Sequence, residues 1–386
     1  MLWKYFLFET KVLLSNRKNW FLGIVIMLFF PIFILYTNQT PSESLRDIKK
    51  AEVASNSLLF KSYGDELQEG SPEEQEMYEN LTEQSSLVNF QTFYIREGEV
   101  TQDYVENGLK VNELRLKAHD MGNPGLPEQF IVPRDEIEKE DALLRFIQKE
   151  NLELDSNKYL AVPHFVVALA LLSGLPFVFF VLVSGSEIIV YEHRHQTVMS
   201  GFPISFMKKI NIKVLIHFIQ TMVFLVLGLL LGHYFLSKEL GSGYLTDPIV
   251  IYSAGGFESI VILNYLLHAL LAMSVITLLV LYLSVLLNIL FKNAFANVLV
   301  GLGLFLLPNL VLAGGTKFSL FHPLKYIDFS SVLSGALAEQ LENSQIDFWH
   351  AMLWLVFLCI VIVSVLFVRN KLTYRRKISQ TEGEKG

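Results

Sequence analysis

Six apolar runs, each near the length of a membrane crossing, are divided by polar stretches of very unequal length. The first, Trp20 to Tyr36, is uncharged and bounded by two aromatic residues suited to a membrane–water boundary. Five more follow over about Val162–Val183, Val214–Phe235, Ile260–Leu287, Ala294–Leu312 and Phe348–Val368. About 20 residues rising 1.5 Å each cross a ~30 Å hydrocarbon core, so each run predicts a transmembrane helix. Lys292-Asn293 divides what would otherwise be one overlong run from 260 to 312, and Pro31 predicts a kink in the first. Ahead of that first run, Leu2, Tyr5, Phe6, Phe8, Val12 and Leu13 share one helical face among Lys4, Glu9, Lys11, Arg17 and Lys18, which predicts a helix lying in the interface. This basic segment is too long and amphipathic for a signal peptide, and no small-residue cleavage site follows, so the first span is expected to be retained.

The longest polar stretch, residues 38–160, predicts an aqueous domain between the first and second spans. Ser42 to Glu83 predicts helix broken at Gly64, Gly70 and Pro72, and Leu87 to Val100 alternates in a way that predicts a strand. Residues 122–133 are punctuated by Gly and Pro, and Asp135 to Glu150 predicts an acidic-started helix. The domain is therefore expected to be mixed α/β with a small core of its own. A second segment, 313–347, is semi-apolar and predicts a short helix dipping back into the membrane. The expected fold is thus an all-α membrane bundle of six helices, with an N-terminal interfacial helix and an inserted mixed α/β domain.

Composition agrees. Soluble domains run about 45–50 % apolar, whereas this chain of 386 residues is 52 % hydrophobic with a mean hydropathy of +0.40. Its net charge of −7 joins two unlike parts: residues 38–160 hold 13 Lys/Arg and 26 Asp/Glu (−13), and the remainder holds 18 and 12 (+6). The acidic domain has the wrong sign for nucleic acid. With the N-terminus inside, 15 Lys/Arg fall in segments 1–19, 187–213, 288–293 and 369–386, against three (Lys238, Lys317, Lys325) in the short outer loops. That bias predicts cytoplasmic termini, a basic cytoplasmic tail over 369–386 and an extracellular 38–160 domain. The single cysteine, Cys359, lies in an apolar run and excludes an intrachain disulfide.

No catalytic constellation stands out. Gly314-Gly315-Thr316-Lys317 lacks the spacing of a phosphate-binding loop. His193 and His195, two apart, do not share a helix face and have no third ligand nearby, so no metal is expected. Polar residues within spans are costly in lipid, so His217 with Gln220 and Asn264 with His268 are expected either to bond between helices or to line a translocation path. Gly228 and Gly232 form a small-xxx-small pair suited to close helix packing.

The stretch from Ser186 to Lys213 is richer than a connection requires. Glu187, Glu192 and Thr197 stand five apart, Gly201-Phe202-Pro203-Ile204-Ser205 follows, and Lys208-Lys209 leads into the third span. A short helix over about 192–199 is expected, then a break and a second amphipathic piece. In order and spacing this loop resembles that of the permease subunits of ABC-2-type (type V) exporters, bacterial transporters of the plasma membrane. The resemblance in topology covers nearly the whole chain, although His195-Gln196 stands where the family more often has a glycine. The resemblance implies a dimeric permease, with itself or a sibling, among membrane lipids. Its loop would dock on a separate ATPase present in two copies, which binds ATP and Mg; the permease itself is no enzyme. Coupling would fall to Glu187, Glu192, Thr197, Gly201, Pro203 and Ser205, and 313–347 would be a re-entrant helix pair near the exit path. Amphipathic or lipid-like compounds or peptides would be the cargo, as in multidrug or peptide resistance. Two other readings remain open: a permease for peptide sensing and immunity, and a non-transporting sensor or scaffold acting through the outer domain.

Overall fold

The computed structural model describes residues 1–37, 45–96, 99–100, 102–152, 154–155, 164–190, 192, 203–240, 242–313 and 319–383. They form two compact units: Met1–Tyr36 with Val167–Leu236 and Leu266–Gly386, and Thr37–Val166 with Ser237–Tyr265.

The first unit holds the apolar helices. Helix α1 (Leu2–Ser15) leads into α2 (Arg17–Thr37). Among the described residues, four helices are long and apolar enough to cross a membrane: α2, the Phe206–Lys238 part of one long helix, Ile262–Phe291, and Phe348–Leu372 of the last helix. The expected second span is broken into His164–Leu172 and Leu175–Gly185, bent by 57°, and makes a fifth if the pair counts as one. The expected fifth span is a shorter apolar helix by its Ala294–Leu310 stretch. The chain is therefore a mostly helical, membrane-embedded protein. Large apolar side chains such as Phe21, Ile32, Phe295, Leu310 and Leu353 stand more than half exposed along these helices, as lipid-facing surface does. The Ile262–Phe291 helix is the most buried of the four, with Ala272, Met273, Ile276 and Val280 fully covered.

Small residues set one close approach. A Cβ on Gly228 would stand 3.0 Å from the carbonyl oxygens of Ile26 and Met27, so the Phe206–Lys238 helix lies directly on the α2 backbone. Gly228→Val is expected to force the two apart at a cost of about 1–3 kcal/mol, read as a lower thermal midpoint of the detergent-solubilised chain. Gly303→Ala, where nothing lies within 4 Å, is the control expected to melt unchanged. Equal midpoints for the two variants would refute the close contact.

In the second unit, the stretch expected as a mixed α/β domain is mostly helical. Its body is four helices, α3 (Leu45–Glu69), α4 (Pro72–Arg96), α5 (Gln102–Asp120) and α6 (Arg134–Glu150), each packed on the next. Leu87–Arg96, expected as strand, is the last part of α4; β1 (Glu99–Val100) merely bridges antiparallel to β2 (Leu154–Asp155). The reason is a stripe at helical spacing: Met77, Asn80, Gln84, Val88, Gln91 and Ile95 are all buried, while the aromatics Phe90 and Phe93 face outward. The polar members of that stripe are bonded, Asn80 to the Leu114 carbonyl and Gln91 to the Tyr104 carbonyl, at 3.1 and 3.2 Å. Leu45, Ile95, Tyr104, Val105, Leu144 and Ile147 form the adjoining core.

True strands occur outside 38–160. β3 (Pro248–Ser253) and β4 (Gly256–Val261) form a hairpin that packs on α6. Its turn places Ala254 and Gly255 both at positive φ (49° and 86°), the twist that two-residue hairpins require. At the centre of the helices, Lys49 lies between Glu52 and Glu140 at 2.9 and 3.1 Å, and Arg115 contacts the same two carboxylates.

Candidate functional site

The sequence singled out the two carboxylates that open the 187–213 loop, and both prove to be tied to the N-terminal helices within the first unit. The buried stripe of α1 is Tyr5, Glu9 and Leu13, at i, i+4 and i+8. Hydrophobicity alone suggested a broader face, yet Leu2 stands 47 % exposed and the buried stripe carries a charge. That charge is answered by Lys213, whose Nζ lies 2.9 Å from Glu9 Oε1 with both side chains under a tenth exposed. Because Oε1 receives no aligned hydrogen bond, this is a close charge contact in a poorly solvated place. The same ammonium is 3.5 Å from Glu192 Oε1, which also accepts from the Tyr5 hydroxyl at 3.2 Å. Burial, then Glu9 and Glu192, push the Tyr5 hydroxyl well above its ordinary value, so it remains a donor.

The loop's first residue is held separately. Glu187 Oε2 lies 3.1 Å from Lys18 Nζ and accepts from Asn16 Nδ2 at 3.4 Å. Lys18 also donates to the Val183 carbonyl and to Ser186 Oγ, at 3.1 and 3.2 Å. It thereby covers the C-terminal end of the Leu175–Gly185 helix, where exposed carbonyls favour a cation. Glu9, Lys18, Glu187, Lys213 and His217 all line one small polar cavity of about 80 Å³, roomy enough for water.

Of the other expected coupling residues, Pro203 and Ser205 immediately precede the Phe206–Leu240 helix, and the Ser205 carbonyl accepts from Lys209 N at 3.1 Å. Thr197 and Gly201, with most of the expected 192–199 helix, lie outside the described residues. His217 lies 3.3 Å from Ser184 Oγ, and Gln220 donates to the Asn19 carbonyl at 3.0 Å. His268 packs edge-on against Phe348, ring centres 4.6 Å apart. These three thus serve three different helix pairs. Asn264 belongs to the second unit, in the first turn of the Ile262–Phe291 helix. Tyr5, Glu9, Lys18 and Lys213 were not singled out as site residues. The available signal was Glu9 standing among apolar positions of an amphipathic helix, a charge that needs a partner.

The expected re-entrant segment begins, after residues outside the described set, with a 3₁₀ stretch Ser319–Ile327 and two five-residue helices, Phe329–Leu333 and Ala336–Gln340. Phe329, Val332 and Leu337 are buried, so this segment is packed protein. It also supplies the break in the second expected span. Gly174 N donates to the Ile327 carbonyl at 3.2 Å, which satisfies a backbone group that a continuous helix would have bonded internally, and Ser173 Oγ donates to Asp328 Oδ1 at 2.8 Å.

No protein family, curated protein or solved structure matches this chain.

Proposed function

We propose that this chain is the membrane subunit of an ATP-driven exporter of the ABC-2 type, receiving force through its 187–213 loop from a separate ATPase that binds ATP and Mg. What supports this reading, beside the resemblance of the loop, is the way both of its ends are braced. Glu187 is tied to Lys18 and Asn16, and Glu192 and Lys213 to Tyr5 and Glu9. A partner pressing on the loop would move α1, α2 and the two helices the loop joins as one lever with little slack. That is what a coupling element needs if it is to bias a two-state membrane bundle. On this reading the cargo is an amphipathic or lipid-like compound or peptide, the permease works as a dimer in the plasma membrane, and the acidic unit lies outside the cell.

Purification from the host in mild detergent is expected to bring down an ATPase subunit in near-equal amount. In the reconstituted complex, Thr197→Trp and Glu192→Ala are expected to lower stimulated ATPase activity severalfold while the permease still assembles. Recovery of no ATPase would sink the exporter reading. Unchanged coupled activity in both variants would remove the loop from the coupling role.

A further inference from the structure

A cavity of about 550 Å³ opens within the first unit where Ser173-Gly174 interrupts the second expected span. That volume falls in the ~300–1,000 Å³ range of small-molecule sites. Its wall is divided in character: Phe305, Leu324 and Leu337 give apolar surface, and Asn309, Lys325 and Gln340 give polar groups.

Asp328 also borders the space, but its carboxylate is already committed. Oδ1 accepts from Ser173 Oγ at 2.8 Å and from Ser331 N at 3.3 Å, and Oδ2 accepts from Ser331 Oγ at 2.7 Å. Lys325 is the opposite case. An ammonium carries three donors, and among the described residues Lys325 gives one, to Gln340 Oε1 at 3.0 Å, with no carboxylate in ion-pair range. Asn309 points the same way. It stands exposed on an apolar helix beside Leu306, Leu307 and Leu310, also exposed, where an amide facing lipid would be costly. An amide there is at home against the polar side of the cavity.

We propose that this cavity binds an anionic amphiphile, with Lys325 and Asn309 holding a carboxylate or phosphate head and Phe305, Leu324 and Leu337 receiving its hydrocarbon chain. The unspent donors select negative charge, and the apolar wall selects a chain over a bare anion. The site stands apart from the transport reading, since binding requires no ATPase and a chain that never meets one would still carry it.

The test uses the full chain in phosphatidylcholine nanodiscs, with radiolabelled oleate as probe and empty nanodiscs as the measure of simple partitioning. One saturable site per chain is expected, with Lys325→Met weakening it about ten- to a hundredfold and Lys325→Arg retaining it. Leu337→Trp, which fills the cavity, is expected to remove saturable binding. Should that buried variant fail to fold, Asn309→Leu at an exposed position is expected to weaken oleate measurably in a folded chain. Neither oleyl alcohol nor inorganic phosphate is expected to compete. The proposal falls if saturable binding is absent, or if it is unchanged in Lys325→Met and Asn309→Leu. It falls equally if oleyl alcohol competes as well as oleate, because Lys325 would then not read the head. Full competition by inorganic phosphate would identify a site for free anions and overturn the amphiphile.

Discussion

Lys49→Met should destabilise the helical unit by about 3–5 kcal/mol, the cost of leaving a buried charge without its partner. Lys49 is 4 % exposed on its side chain and stands between Glu52 and Glu140. Its removal leaves Arg115 alone between two carboxylates, Glu52 at 17 % and Glu140 at 30 % side-chain exposure. Burial by itself would lower the Lys49 pKa, but Glu140, Tyr104 and Glu52 outweigh it and hold the ammonium above its usual value. Burial would likewise raise Glu52, and Lys49 with Arg115 outweigh it, so its carboxyl is held below the usual range.

These opposite shifts define a pH window. A lysine raised in the fold contributes stability that is full below 10.5 and is lost as pH climbs through the raised value. A glutamate lowered in the fold contributes stability that is full above 4.5 and is lost as pH falls through the lowered value. The unit is expected to be most stable between those limits, and Lys49→Met to lose the alkaline part of the dependence. Hydrogen exchange of α3 and α5 peptides in the intact chain measures both effects. Wild-type protection in Lys49→Met would mean that the cluster is solvated and contributes little.

Lys213→Met is expected to have an effect of similar size in the first unit, again about 3–5 kcal/mol. It would leave Glu9, 7 % exposed on its side chain, facing the cavity with no cation among the described residues in ion-pair range. Helix α1 should then loosen, giving a lower thermal midpoint in detergent and faster exchange across Leu2–Ser15. The double variant Glu9→Leu with Lys213→Met removes both charges, and buried pairs replaced by apolar residues commonly regain much of the loss. Recovery of at least half the single-variant loss is expected. A single variant that melts like the wild type would show that α1 is not held through this pair, and the lever argued for the loop would lose its fulcrum.

How much of this was legible differs from element to element. The apolar runs fall on helices, because transfer into hydrocarbon is a nearly additive property of consecutive side chains, yet the helix expected from Val214 already begins at Phe206, and the second expected span is a bent pair. The second unit takes in Ser237–Tyr265 as well as the acidic stretch. Its interior was read less well. In Leu87–Arg96 the local alternation pointed to a strand, while the buried stripe continuing from Met77 through Val88 and Ile95 carries the helix. The hairpin at 248–261 escaped notice because its Ala254-Gly255 turn lacks the usual Asn or Asp. At the candidate site, Glu187 and Glu192 were visible as charges at the edge of an apolar run, but their partners were not.

By itself, the sequence determined that this is a membrane-embedded helical chain carrying an acidic polar unit and a loop richer than a connection needs. Hydropathy and charge are local quantities that survive being read one residue at a time. Only the tertiary structure decided which charges are buried together, and that Ser173 at a helix break meets Asp328, 155 residues away. A buried charge or an interrupted helix persists when a distant segment supplies the missing partner, and no local pattern names that segment.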